Sequence, residues 1–169
     1  MVSGVASSYW VRWMLVQAHD DQDLIYIARG APRRWYTGVD RWGIANAPTR
    51  LGHVSFTLQA SFGIGKHRDI SSKEFPRVSE DTGSRAASQV AGMVTVSSLP
   101  NAKSASPPPL IAVHLRTARA ESKGRMQPRV TVTPPTAAKV LVWHASNETV
   151  VFQPQGNNDV DFNFTAVFA

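Results

Sequence analysis

Three kinds of side chain in this sequence could carry chemistry: carboxylates, imidazoles and aromatic rings. Cleavage of a glycosidic bond needs two carboxyl groups about 5 to 9 Å apart, one protonated and one ionised. The candidates are Asp20, Asp21, Asp23, Glu80, Asp81, Asp159 and Asp161. The first three crowd into the polar turn "HDDQD", and Glu80 and Asp81 fall in a stretch with few apolar residues. Asp161 takes the polar phase of an alternating strand. Unpaired acids are rarely buried, so each reads as a solubilising surface residue and no catalytic residue is assigned.

The five histidines are His19, His53, His67, His114 and His144, and no two of them have the i, i+2 or i, i+4 spacing that pre-forms a metal site. The pairs His19/Asp21 and His67/Asp69 have that spacing, but one imidazole and one acid supply too few ligands. No metal and no cofactor is therefore expected. His114, between core-facing Val113 and Leu115, reads as an exposed or interface strand residue. A Ser-His-Asp triad is assembled in space, so spacing is silent on it, yet no G-x-S-x-G elbow or oxyanion-hole glycine run accompanies any serine. The fragment "GIGKHR" is too short for a phosphate loop.

An apolar ring face can stack on the C–H face of a sugar. Trp35, Trp42 and Tyr36 are the candidates for that role, with core packing as the equal alternative. Trp10, Trp13 and Met14 recur at i, i+3 and i+4 and read as one face of a helix that needs a packing partner. Trp143 lies apart from these. The triplets "NET" at Asn147 and "NFT" at Asn163 are glycosylation acceptors only in a secreted chain.

The elements that must position these residues follow from periodicity. Residues 7–17 fit a short helix with Ser7 or Ser8 as its cap, and "LIYIA" fits a short strand. "RGAPRRWYTG" reads as a turn, and 46–49 as a rigid corner. "HVSFTLQASF" then alternates Val54, Phe56 and Leu58 against Ser55, Thr57 and Gln59. Further short strands are expected at 89–99, 110–118, 129–133, 139–145, 148–154 and 159–169, with long loops at 63–88 and 100–109. This spacing, with no helical period between strands, predicts a mainly β fold, an antiparallel β-sandwich with a short N-terminal helix. Residues 1–46 would form a helix, short strand and linker, and 47–169 the sandwich.

With 169 residues, 43% apolar and 18% charged, the chain can bury one core. The absence of cysteine excludes disulfides and thiolate sites. No run is long and apolar enough to span a membrane, and neither a signal peptide nor an anchor is read. The net charge of +6 raises the question of a nucleic-acid partner, but Lys and Arg are scattered rather than gathered on one face, which argues against it. Nothing in the sequence assigns a compartment.

The run "VRWMLVQAHDDQDLIYIARGAPRRWY" followed by "GIANAPTRLGHVSFTLQ" resembles the C-terminal end of bacterial-type glycoside hydrolases built on a six-hairpin (α/α) barrel. In that family a last barrel segment runs through an "APTR" corner into a β-sandwich. The matching positions are Arg12, 14–16, 23–28, Pro32, Arg33, Trp35, 47–50, Gly52 and 54–56, and more loosely 114–116 and 140–142. Departures are the length of 63–88, the "PPP" linker and "WHASN" in place of an Asn-Gly turn. The family's catalytic carboxylates lie upstream in the barrel, so none maps onto this chain. The resemblance implies a non-catalytic β-sandwich module that supports a helical barrel catalytic domain. Self-association through Trp10, Trp13 and Met14 is the other partner reading. A stand-alone carbohydrate-binding module and a basic nucleic-acid or anion binder are the alternatives.

Overall fold

The computed structural model describes residues 3–19, 21–36, 40–61, 89–97, 107–116, 127–156 and 159–168, with side chains defined from residue 9 onward. One helix, α1 (Ser3–Leu15), leads into β1 (Val16–His19) and β2 (Leu24–Ile27). A 3-10 helix at Arg33–Tyr36 precedes the hairpin of β3 (Arg41–Thr49) and β4 (Gly52–Ser61). The remaining strands are β5 (Gln89–Ser97), β6 (Leu110–His114), β7 (Arg129–Thr133), β8 (Ala138–His144), β9 (Thr149–Pro154) and β10 (Val160–Val167). They form two five-stranded sheets, ordered β1-β2-β6-β9-β8 and β3-β4-β5-β10-β7. The fold is the expected mainly β sandwich with a short N-terminal helix, its pairs antiparallel except for the parallel β2 and β6.

Alternation builds the core. In β4, Val54, Phe56, Leu58 and Ala60 turn inward, and in β10 Val160, Phe162, Phe164 and Ala166 do the same, all buried. The facing sheet supplies Ile25, Ile27, Ile111, Val113, Leu115, Val150 and Phe152. Phe152 joins the layers, its ring centroid 5.0 Å from Phe162 and 5.1 Å from Phe164. A fully buried ring of this kind contributes about 3–5 kcal/mol relative to alanine.

Several local expectations need correction. The helix runs over Ser3–Leu15 rather than 7–17, because Val16 leaves it to pair with Ile27 and bury both side chains. Residues 46–49 are not a corner but the end of edge strand β3, where Pro48 removes no ladder bond that the sheet needs. The ladder slips between Ile44 and Ala47, with Asn46 at φ 55° and its N–H donating to Ser55 Oγ at 2.8 Å. The reversal comes later, at Arg50 and Leu51, where the Thr49 hydroxyl donates to the Gly52 carbonyl at 2.6 Å and accepts from Leu51 N–H at 3.2 Å. The boundary expected between residues 46 and 47 falls inside β3. Residues before it supply β1 and β2 to one sheet and most of β3 to the other, since fully buried Ile25 and Ile27 require cover on both sides. The expected long loop 63–88 and residues 100–106 of the second lie outside the described residues.

Candidate functional site

Among the described residues, the exposed tyrosine and tryptophans lie on the helix. Its C-terminal end is anchored: Leu15 is buried, Met14 packs on Gly30, and Arg12 donates to the Pro48 carbonyl of β3. Backbone bonds from Ala28 N–H to Leu15 O (2.7 Å) and Gly30 N–H to Met14 O (2.9 Å) tie the same end to the turn after β2. Anchoring these residues turns Tyr9, Trp10, Val11 and Trp13 outward, 59%, 59%, 48% and 52% exposed. Trp10 and Trp13 meet edge to face, with centroids 6.3 Å apart. The sequence-predicted packing trio is therefore split: Met14 is seated on the sandwich and the two tryptophans are not. Tyr9, one turn before Trp13, is exposed on the same side, and Val11 is exposed on the adjoining side of the helix.

Trp35, Tyr36 and Trp42 are brought together, but not as an open platform. Tyr36 is fully buried, and its hydroxyl donates to the His114 carbonyl at 2.5 Å. Burial pushes the Tyr36 phenol up, far from ionisation at physiological pH, with Arg116 partly opposing that shift. The Trp42 ring lies 5.1 Å from both Trp35 and Tyr36 and 6.0 Å from Phe56, edge to face in each case. Its indole N–H is buried with no acceptor among the described residues. Neither Tyr36 nor the enclosed edge of Trp42 is available to a sugar, and the cluster locks the 3-10 helix onto β3 and β4. Trp143 packs likewise, edge-on to Phe168 at 6.1 Å.

His114 is the clearest departure at residue level. It faces away from the sandwich core as the alternation of β6 requires, yet it is only 4% exposed. Its Nδ1 shares a 3.1 Å hydrogen bond with the Thr149 hydroxyl, and its ring sits 5.9 Å from that of Tyr26. Burial, then the nearby Arg116 and Arg29, push the imidazole down to about 4.

Of the carboxylates, Asp21, Asp23 and Asp161 are exposed, and Glu148 pairs with Arg33 at 3.5 Å. Asp20, His67, Asp69, Glu80 and Asp81 lie outside the described residues. Among the described residues no three His, Asp or Glu side chains converge as metal ligands, and no helix is long and apolar enough to cross a membrane. An open groove of about 690 Å³ follows β7 and β8, lined by Val130, Val132 and Val140 with Arg129 and Lys139, and it has no ring or carboxylate in its wall. No protein-family model, curated protein or solved structure matches the chain.

Proposed function

We propose that this chain is a non-catalytic β-sandwich module of a carbohydrate-active enzyme, supporting a helical barrel catalytic domain of the six-hairpin glycoside hydrolase type. The observation that carries the reading is the outward aromatic face of α1. Covering a tryptophan is worth about 1.5–3 kcal/mol, so a helix pinned through Met14 and Leu15 while presenting Tyr9, Trp10, Val11 and Trp13 is suited to lie against a second surface. The resemblance over residues 10–59 supplies the identity of that surface, since in the family this stretch is where barrel and sandwich meet. Of the sugar-stacking candidates, Tyr36 lies in the core and Trp35 and Trp42 pack against it, which favours this reading over a stand-alone carbohydrate-binding module.

The test has two arms. The purified chain should not turn over aryl glycosides, and turnover lost on replacing a single carboxylate overturns the proposal. Added to a six-hairpin catalytic domain stripped of its own sandwich, the chain should raise the melting temperature of that domain, and the double substitution Trp10→Ser, Trp13→Ser should abolish the effect. A barrel that neither binds nor is stabilised by the wild-type chain refutes the docking role.

A further inference from the structure

On the outer face of the first sheet two guanidinium groups are brought close to one imidazole. On β6, Ile111, Val113 and Leu115 take the inward positions, which sends His114 to the outer face and leaves Arg116 next in phase beyond the strand. Arg116 Nη2 donates to the Arg29 carbonyl at 2.8 Å, joining positions 87 residues apart. The Arg29 guanidinium lies 4.8 Å over the Tyr26 ring, and its Nη1 reaches Gln17 Oε1 at 3.4 Å. His19 also meets Tyr26, edge to face at 5.3 Å. Neither guanidinium has a carboxylate partner among the described residues, and Glu148, the acid of the turn before β9, is engaged by Arg33.

Two cations held near each other and near an imidazole repel, and the backbone fixes them there. Ala28, fully buried, adopts φ 61°, a left-handed conformation that costs a non-glycine residue about 1 kcal/mol or more. The turn it starts is bonded to Leu15 and Met14 of α1, so Arg29 projects from a rigid base. Planar guanidinium forks match oxyanions in two-point geometry, and a bound anion would relieve the repulsion. We propose that Arg29 and Arg116 form an oxyanion-binding site on this face, accepting a carboxylate, sulfate or phosphate group above a floor of Tyr26 and His114. The groups around the imidazole are Tyr26 from β2, Arg29 from the following turn, Arg116, the Asn147 backbone, Thr149, and His144, which is paired with Thr149 in register. The site stands independently of the docking role of α1.

The experiment is a calorimetric titration of the whole chain at constant ionic strength, with chloride as the balancing ion and three probes: inorganic sulfate, inorganic phosphate and glucuronate. Saturable binding is expected, and Arg29→Gln or Arg116→Gln should weaken it about tenfold or more, the factor for losing one charge-assisted hydrogen bond. Arg129→Gln, on a strand of the other sheet, should leave binding unchanged. A proton NMR titration should show the His114 imidazole becoming easier to protonate in the presence of sulfate, a response a purely structural role of the arginines would not give. Glucuronate binding more tightly than the inorganic ions assigns the anion to an acidic sugar, and the reverse order to a free oxyanion. Absence of saturation with all three probes, or an equal loss in Arg129→Gln, overturns the proposal. Arg29 has an exposed side chain, so its variant decides the matter even if Arg116→Gln does not fold.

Discussion

At neutral pH the His114 imidazole is uncharged, because its burial and the charges of Arg116 and Arg29 all penalise the protonated form. The sign of the consequence is fixed: the unfolded chain takes up a proton near 6.5, the folded chain only near 4, so acidification through that window favours unfolding. Stability should fall by about 2 kcal/mol between those limits, after discounting for solvent screening, and not further from this group below them. His114→Gln should remove that part of the acid limb, read as the difference between wild-type and variant urea midpoints across a pH series. Its outward orientation was legible from the alternation of "LIAVHLR", but its enclosure was not. Thr149, Tyr26 and Arg29 reach it from separate elements, and no local pattern encodes their convergence. The same limit applied to Tyr36 and Trp42, whose mutual packing depends on β3 folding back over the 3-10 helix.

Among the elements, the three central strands of the second sheet meet along a row of Leu58, Gly92 and Phe164, which are partners in register. A Cβ on Gly92 would stand 2.4 Å from Phe164 Cε1 and 2.7 Å from Leu58 Cδ2, so the ring fills the space that the missing side chain leaves. Gly92→Ala should destabilise by about 2 kcal/mol, the overpacking cost outweighing the gain from a stiffer unfolded chain, with thermal or urea unfolding as the readout. Strands with clean alternation, β4 and β10 above all, were readable because one face must be apolar and the other wet. Strands β1 and β3 escaped for different reasons. "VQAH" is too short to show a period and continues an aromatic helix pattern, while "RWGIANAPT" carries a bulge and a proline that break its phase midway.

For the whole molecule, the order of strands is set by contacts distant in sequence. The β2 strand lies parallel to β6 and joins the edge strand β1 to the rest of its sheet, so the first thirty or so residues are built into the sandwich rather than appended to it. The periodicity of Trp10 and Trp13 announced a helix with an aromatic face, but only the anchoring of Met14 and Leu15 decides that this face looks outward. Arg29 and Arg116 carried no signal at all, since their meeting depends on the placement of two strands within one sheet. The pairing of β4 with β5 has a separate outcome. Ser61 and Gln89 sit on the same rung, so the intervening segment 62–88 departs from and returns to one point. Exchanging that segment for an Asn-Gly turn should raise equilibrium stability by about 2 kcal/mol through the shorter loop closure, measurable by urea unfolding. The rung thus acts as an open port in the chain, where a foreign polypeptide could be spliced in as cargo while every neighbouring strand keeps its partner.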